Sequence, residues 1–584
     1  MQRMLAFVPL DQRPVCVDRV KYAAGAAGFD VQMPDMDDCA LYLDGQTPKV
    51  PRGINGNGDR ILAWLLKMSE AGCRHFIIHL DQMFAGGLAG SRFPDTTEIG
   101  EKEESIIAVL VELASRKDHR IYFVDTVMRL ASTANYKGYG LAEYHAFREY
   151  GMHNRMPMDE SAFFTPDELE AEKQIDRIAA LYGLDEEGKT LPTGTLTDAQ
   201  INLYHGFRRR KLLLINRMMQ HCAGTYFITA DDSCPKPTIM TAEMAFIEKR
   251  MQALKRQHVL CSDTDCSGLL ALTRCVNDLY GVSPRVRVRY FGHQADDFAD
   301  EFDTGTLRES VNMHLLGAGA AVEDEGDVEL LILTRGQQEI LQNQEDKEYT
   351  RQIRALVAAA CENIRRSMPT IIVDASNHEW MISSWRHGFC NLQDELISKV
   401  ELSRLMAYSN WNTVGNSLGI AVGTGIARYT YLAYGEEGDQ SAHRAFVKSI
   451  TFSCVKDIAY NCRNKEVLFP WTFAHWVSHD MGWARFGFYR QMMAHAPGRE
   501  KCEPWESCDG EHLVNEQLER CMLHNAGREY AHCARRILEN LSGGSMAVSL
   551  KDGEKTESVP GIRLSRFRCT LYRHFEIGFD IELE

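Results

Sequence analysis

The sequence predicts an α/β protein built mostly from parallel β/α repeats, and three observations point to this fold class. Short apolar segments recur along the chain, a polar residue follows most of them directly, and segments with helical periodicity lie between them. Uninterrupted apolar strands are typical of sheets buried on both faces, and a parallel connection needs a crossover long enough to contain a helix. Ligands bind beyond the carboxyl ends of such strands, so the polar residues found there form the candidate site.

Nine segments are predicted as main strands and two as weaker ones. The main strands are Leu5–Leu10, Phe76–Leu80, Ile121–Val124, Tyr226–Ala230, Val259–Cys261, Val286–Phe291, Leu330–Leu333, Ile371–Val373 and Leu405–Tyr408. The weaker ones are Val31–Met33 and Ala320–Val322. Apolar spacing of three and four residues predicts helices between them, for example at Ile106–Leu113, Ala242–Leu254 and Ile353–Ile364.

Two arrangements of these strands remain open, and we favour the first. In tandem Rossmann-like sheets, each half of the chain shows a strand, a helix, a glycine and a short second strand, at Gly28–Val31 and at Gly317–Ala320. In the alternative, eight strands close into a (β/α)8-like barrel. The tandem arrangement predicts α/β domains at 1–283 and 284–435, with a helical insertion at about 137–222. A mainly helical region with closing β-strands follows at 436–584.

Composition excludes several classes of partner. The 584 residues include 81 Asp and Glu against 65 Lys and Arg, and the formal charge of −16 opposes binding to nucleic acid or to an anionic membrane. No segment approaches the roughly 20 apolar residues of a membrane helix. The chain shows no apolar signal segment, and its 17 cysteines follow no framework spacing, so we expect a cytoplasmic protein with reduced thiols. The oligomeric state stays open.

Polar residues after the first two main strands are candidate substrate-binding residues. Asp11 and Arg13 follow the first strand, and the planar guanidinium of Arg13 can fix a carboxylate or a hydroxyl group, although Asp11 can also be a helix cap. Asp81 and Arg92 enclose a glycine-rich loop that would let a ligand approach the backbone. That loop lacks the Gly-x-Gly-x-x-Gly and P-loop patterns, so it indicates a nucleotide site only weakly.

Asp231 and Asp232, directly after the strand Tyr226–Ala230, are the strongest candidates for acid–base catalysis. Neighbouring carboxylates can have divergent pKa values, which leaves one protonated for general-acid work and the other ionised. Adjacent side chains on a strand point to opposite faces, however, so one of the two can instead orient a loop.

The segment Tyr408–Gly419 is unusual because asparagines, a tryptophan and glycines interrupt an apolar pattern. Trp411 can stack on a sugar face, and the carboxamides of Asn412 and Asn416 can bind hydroxyl groups, whereas a buried polar turn is the structural alternative. The letters of Gly415–Gly419 match a nucleophile elbow, but they fall within the first turns of a helix instead of directly after a strand.

A divalent cation is the alternative use of these strand ends. Carboxylate and imidazole ligands would come from Asp81, Asp263, Asp265, His293 and Asp374 if the strand ends converge. These residues have no spacing signature of a metal site, and caps or salt bridges are the structural alternative.

The same segments carry a resemblance to a known family. The chain resembles the bacterial family known as domain of unknown function 4127 at Pro9–Pro14, Asp81–Arg92, Asp231-Asp232, Tyr408–Gly419 and Arg573–Glu576. The similarity spans nearly the whole chain and is most specific around Trp411 and Asn416, whereas the residues after Asp232 and after Asp374 depart from the family pattern. The resemblance implies a shared site at the strand ends and names no reaction.

We therefore expect a hydrolase that acts on a carbohydrate or glycoconjugate without a cofactor. Asp231 or Asp232 would be the general acid, its neighbour would orient the substrate, and Arg92, Trp411 and Asn412 would bind it, by analogy with glycosidases that use an acidic pair at a strand end. The first alternative is a metal-dependent hydrolase or isomerase. The second is a two-lobed protein that binds a small polar molecule.

Overall fold

Two open, parallel sheets form the framework of the protein. The computed structural model describes residues 3–44, 54–134, 136–234, 237–293, 297–300, 302–335, 346–378, 381–382, 391–464, 530–570 and 576–584. The first sheet contains β1 (Arg3–Val8), β2 (Phe29–Gln32), β3 (His75–His79), β4 (Arg120–Val127), β5 (Thr225–Ala230) and β6 (Gln257–Cys261). The second contains β7 (Arg285–Phe291), β8 (Ala321–Val322), β9 (Val328–Leu333), β10 (Thr370–Asp374) and β13 (Ala407–Ser409), and β11 (Asn377–His378) and β12 (Met381–Ile382) form a separate short hairpin.

The two sheets have the same winding. Their strand orders are β2-β1-β3-β4-β5-β6 and β8-β7-β9-β10-β13, and every pairing within them is parallel. In each sheet the first strand lies inside the sheet, the second strand pairs with one side of it, and the later strands are added in turn on its other side. This is the doubly wound order, which leaves a crevice between the first and third strands of the chain. The prediction of tandem open sheets is therefore confirmed, and the barrel alternative is wrong because the strands turn back across each sheet instead of closing it.

Helices cover the faces of both sheets, as right-handed crossovers between parallel strands require. In the first half they are α1 (Asp18–Ala26), α2 (Met36–Cys39), α3 (Gly58–Glu70), α4 (Leu80–Ala85), α5 (Leu88–Arg92), α6 (Glu101–Ser115), α7 (Leu141–Met152), α8 (Glu168–Leu181), α9 (Asp198–His221), α10 (Ile239–Ala253) and α11 (Ser267–Tyr280). The second half contributes α12 (Leu307–Ala318), α13 (Lys347–Arg365), α14 (Leu392–Lys399) and α15 (Val414–Tyr434), and short 3-10 turns lie at Glu160–Phe163 and Leu402–Arg404.

A central helical layer is shared by the two sheets. One continuous apolar core joins residues of β1, β3 and β5 with residues of β7, β9 and β10 through α1, α11, α12 and α15. Helix α15 lies so close to α11 that a Cβ on Gly423 would come 2.9 Å from the Cβ of Leu269. The domain boundary predicted at 283/284 therefore separates two sheets that share one buried core, and the division into domains stays a prediction.

The remaining elements build the helical insertion and the C-terminal region. Helices α7, α8 and α9 lie between β4 and β5, where the helical insertion was predicted. After α15 come α16 (Gln440–Ser453), a π-helical segment (Cys454–Asn464), α17 (Tyr530–Ser542) and the strands β14 (Ser545–Ser549), β15 (Lys555–Ser558), β16 (Ile562–Cys569) and β17 (Ile577–Leu583). The pairs β14–β15 and β16–β17 are antiparallel, as expected for closing strands. Among the described helices, none is long and apolar enough to cross a bilayer.

Candidate functional site

A polar cleft lies where the carboxyl ends of the first sheet meet the N-terminus of α15 from the second half. The strands β1, β5 and β6 end at this point, and their following loops carry charged residues, as expected for a doubly wound sheet. The cleft has a volume of about 70 Å³, enough for several ordered waters or the polar edge of one ligand. It is lined by Arg13, Leu88, Arg92, Arg129, Asp231, Asp232, Ser262, Thr264, Asp265, Phe302, Asn412, Thr413 and Asn416.

Asp231 occupies the inner side of the cleft and is held by one arginine. The Arg92 guanidinium donates from Nε to Oδ2 at 2.6 Å and from Nη2 to Oδ1 at 2.8 Å, which is the bidentate geometry of a strong charge-assisted pair. Both side chains are buried. The third nitrogen of Arg92 donates to the Thr133 hydroxyl at 3.3 Å.

Asp232 is turned outward toward the cleft, so the two neighbouring aspartates have different environments. Its backbone has a φ of +39°, a left-handed conformation that few non-glycine residues adopt, and a quarter of its side chain (25%) is exposed. Oδ2 accepts a hydrogen bond of 2.7 Å from Nη1 of Arg129, which follows β4.

The pKa values of the two aspartates are displaced in opposite directions. Burial raises the pKa of Asp231 despite the pairing with Arg92, and the charge of Asp232 adds to this effect. Burial would also raise the pKa of Asp232, but the guanidiniums of Arg129 and Arg92 outweigh it and hold that pKa below its usual range. Asp231 is therefore the weaker acid of the two and Asp232 the stronger, and such a difference is typical of the two members of an acid–base pair.

Arg13 connects three carboxylates at the other side of the cleft. Its Nε donates to both oxygens of Asp11, at 2.8 and 3.0 Å, its Nη2 to Oδ1 of Asp265 at 2.6 Å, and its Nη1 to Oε1 of Glu576 at 3.1 Å. Asp11 and Glu576 are fully buried beneath the cleft, whereas Asp265 reaches its surface. Asp11 thus positions Arg13 instead of facing a ligand.

The second half contributes the asparagine-rich turn before α15. Asn412 has a φ of +60°, so a second non-glycine residue in the left-handed region lines the same cleft. The Thr413 hydroxyl caps α15 by accepting the backbone N–H of Asn416 at 3.2 Å. Ser417, the central residue of the elbow-like letters, is buried in the first turn of α15 with its hydroxyl bonded to the Trp411 carbonyl, as expected from its helical position.

Two carboxylate oxygens and one amide nitrogen at the cleft are left unused by the described residues. Every guanidinium nitrogen of Arg13, Arg92 and Arg129 already donates to the protein. In contrast, Oδ1 of Asp232, Oδ2 of Asp265 and Nδ2 of Asn416 have no hydrogen-bond partner among the residues that the structure describes. A ligand with hydroxyl groups matches these atoms, because a hydroxyl donates to carboxylates and accepts from an amide.

Asp81 lies in a separate buried cluster. It receives hydrogen bonds from the ammonium of Lys211 on α9 at 2.6 Å, from Thr126 at 3.1 Å and from Ser91. Lys211 also pairs with Asp125, whose pKa is raised to about 7 by burial and by the neighbouring charge of Asp81, against the effect of Lys211. The structure therefore places Asp81 beneath the loop that carries Arg92 and not on the cleft surface.

Trp411 is a core residue. Its side chain is fully buried, and the ammonium of Lys456 lies 5.0 Å from the centroid of its ring. Asn412, the next residue, lines the cleft, whereas the indole of Trp411 belongs to the apolar core around α15. Stacking of a sugar on Trp411 is therefore not available in this structure.

The five alternative metal ligands do not converge. Asp81 and Asp265 pair with Lys211 and Arg13, and Oδ2 of Asp263 lies 3.8 Å from Nε2 of His314. Nε2 of His293 lies 2.6 Å from Asp346, and Asp374 accepts from Gln393 at 2.7 Å. Across the described ranges, no group of three or more His, Cys, Asp or Glu residues is arranged to hold a metal ion.

A larger groove of about 750 Å³ lies at the opposite, amino-terminal end of the first sheet. Its one carboxylate among the described residues, that of Asp278, accepts from Arg274 at 2.8 Å and from the Tyr122 hydroxyl at 2.8 Å. Neither its position in the fold nor its chemistry favours it over the cleft.

The chain matches a known family. The family model described as a protein of unknown function (DUF4127) matches residues 5–467. This range includes every residue that lines the cleft, but not Glu576, which lies beneath it. No curated protein and no solved structure matches the chain. Residues 573–575, part of the segment on which the resemblance rests, lie outside the described residues.

Proposed function

Because this chain belongs to the DUF4127 family of proteins of unknown function, we propose its activity from the cleft itself: hydrolysis of a carbohydrate or glycoconjugate by the Asp231–Asp232 pair. The observation that carries the proposal is the opposite displacement of the two pKa values at adjacent positions. Hydrolysis of a glycosidic bond needs one carboxyl that donates a proton to the leaving group and one carboxylate that acts as base or nucleophile.

The roles follow from position. Asp232 is ionised and exposed to the cleft, so it is the base or nucleophile, and its unpartnered Oδ1 is the atom that would act. Asp231 has the raised pKa and would be the proton donor; to carry the proton, one of its oxygens would exchange its hydrogen bond from Arg92 for an O–H. Asp265 and Asn416 would bind substrate hydroxyl groups.

The charge of the cleft favours a neutral substrate. Three guanidiniums and three carboxylates line it, and each of the guanidiniums is already committed to a carboxylate. A phosphate or carboxylate ligand would have to compete with these carboxylates for the guanidiniums, next to buried negative charges. A polyhydroxylated neutral group needs no such exchange.

The shared helical layer counts against a hinged binding protein. Closure of two lobes requires an interface that can open, and here α11 and α15 are joined by continuous apolar core. Carboxyls with displaced pKa values in a cleft beside this shared core support a catalytic site.

The test is turnover of a panel of chromogenic glycosides by the purified protein, with and without a chelator. We expect release of chromophore from at least one glycoside at an undiminished rate in chelator. Loss of turnover in the presence of chelator would contradict the proposal and would indicate a metal-dependent hydrolase or isomerase. Absence of any turnover together with tight binding of a sugar would instead support a binding protein.

A further inference from the structure

The C-terminal strand β17 approaches the cleft from outside the region that the family model matches. Glu576, the residue directly before this strand, is fully buried. Its Oε1 accepts a hydrogen bond of 3.1 Å from Nη1 of Arg13. The strand is tied to the first β/α unit, because a Cβ on Gly578 would touch Pro14 at 3.0 Å and Arg568 on β16 pairs with Asp18. The C-terminal hairpin of β16 and β17 therefore packs against the loop that carries Arg13.

A planar guanidinium with three fixed contacts has a fixed orientation. Asp11 holds the Nε edge of Arg13, and Glu576 holds Nη1, so the remaining nitrogen, Nη2, is directed at Asp265. Oδ1 of Asp265 is occupied by this bond, and its other oxygen, Oδ2, is left open to the cleft. The direction of Asp265 therefore depends on a residue of the C-terminal hairpin.

A second buried cation balances this group. Three carboxylates surround the single charge of Arg13, and Lys456 of the π-helical segment is near enough to Glu576 for their charges to interact. Lys456 is fully buried, and its ammonium has no hydrogen-bond partner among the described residues; it lies over the ring of Trp411. The second oxygen of Glu576, Oε2, is likewise unpartnered in the described part of the chain. Only Arg13 and the charge of Lys456 compensate Glu576 there.

We infer that Glu576 is a positioning residue of the cleft, which the C-terminal hairpin completes by holding Arg13 and, through it, Asp265. Glu576 does not touch the cleft surface, and the strand-end pattern of the sequence does not point to it. The inference rests on the cleft being the ligand site, as the proposed function also does, but not on the hydrolytic reaction. It therefore has a test that needs no substrate.

The test measures the reactivity of individual arginines toward phenylglyoxal, followed by peptide mass spectrometry of the full-length protein. In the wild type, Arg13 is 3% exposed and its three nitrogens are bonded, so it reacts slowly. We expect Glu576→Ala to raise the rate at Arg13 roughly tenfold, the effect of one charge-assisted hydrogen bond, and Glu576→Gln, which keeps an acceptor, to raise it less. Arg208 is the internal control: it lies on α9 of the helical insertion, is equally buried, and is paired with Glu243 on α10.

A further variant separates positioning from general loosening. Glu582→Gln removes an exposed carboxylate from β17 and should leave the rate at Arg13 unchanged. If Glu576→Ala does not fold, Glu576→Gln carries the same comparison.

An unchanged rate at Arg13 in the Glu576 variants would overturn the inference, as would a parallel increase at Arg13 and Arg208. Where a glycoside is cleaved, Glu576→Gln should lower kcat/KM while Glu582→Gln does not. Failure to find any substrate would count against the proposed hydrolase and would leave the arginine result standing.

Discussion

Arg92 and Asp231 form a buried bidentate pair, with 2.6 Å from Nε to Oδ2 and 2.8 Å from Nη2 to Oδ1. The pair joins the glycine-rich loop after β3 to the end of β5, two strands apart in the sheet. It therefore fixes the inner wall of the cleft while Asp232, the next residue, stays partly exposed.

Removal of Arg92 should strongly destabilise the protein. Arg92→Ala leaves the Asp231 carboxylate buried without its partner, which we expect to lower the free energy of unfolding by about 3–5 kcal/mol in urea denaturation. Adding Asp231→Asn to this variant should recover part of the loss, because the uncompensated charge is gone. Arg209→Ala breaks an exposed pair with Asp176 and should cost below about 1 kcal/mol. Equal effects of the two arginine variants would contradict the burial argument.

Asp125 should make stability depend on pH. Its pKa in the folded protein is about 7, raised first by burial, whereas an unfolded aspartate has about 3.9. Between these two values the folded state binds more protons than the unfolded state. The stability that Asp125 contributes to the folded state is therefore fully present below about pH 4 and is lost as the pH rises through about 7. Denaturation of Asp125→Asn at several pH values should show the variant gaining stability over the wild type from pH 4 to 7 and no further above.

The matched control for this pH effect is Asp118→Asn, which removes a carboxylate that is mostly exposed and paired with Arg74. Its stability difference from the wild type should stay nearly constant over the same range. A flat difference for Asp125→Asn as well would show that Lys211 keeps that carboxylate ionised throughout.

Gly419 should not tolerate a methyl group. A Cβ at this position would lie 1.5 Å from Oδ2 and 2.7 Å from Cγ of Asp263, whose other oxygen is bonded to the backbone of Cys266. Alanine normally favours a helix over glycine by about 1 kcal/mol, but overpacking typically costs about 1–3 kcal/mol, so we expect a net loss in denaturation experiments. Gly183→Ala meets its nearest atom at 3.7 Å and should be close to neutral. A stabilised Gly419→Ala would refute the close contact.

The strands were predictable because burial on both faces produces an unbroken apolar run. All eleven predicted segments overlap strands of the two sheets, even the two-residue β8. The strand ends were less clear: Leu80 already belongs to α4, because the chain turns directly from β3 into that helix. Local patterns specify elements well and their exact limits poorly.

The site was predictable in part. Arg13, Arg92, Asp231, Asp232 and the two asparagines reach the cleft because strand ends of a parallel sheet meet at one edge. Arg129 has the same signal, two residues after β4, and could have been found by it. The pairing of Asp81 with Lys211, the burial of Trp411 and the approach of Glu576 depend on contacts between distant segments, which no local spacing reveals.

The central claim is that Asp232 is the reactive carboxylate, and hydrolysis of a chromogenic glycoside by Asp232→Asn tests it most directly. Asparagine tolerates the left-handed backbone of this position, so the variant should fold. We expect kcat to fall by at least about 100-fold, the scale of a lost acid–base group, with Asp176→Asn unchanged. Turnover by Asp232→Asn at the wild-type rate would contradict the account.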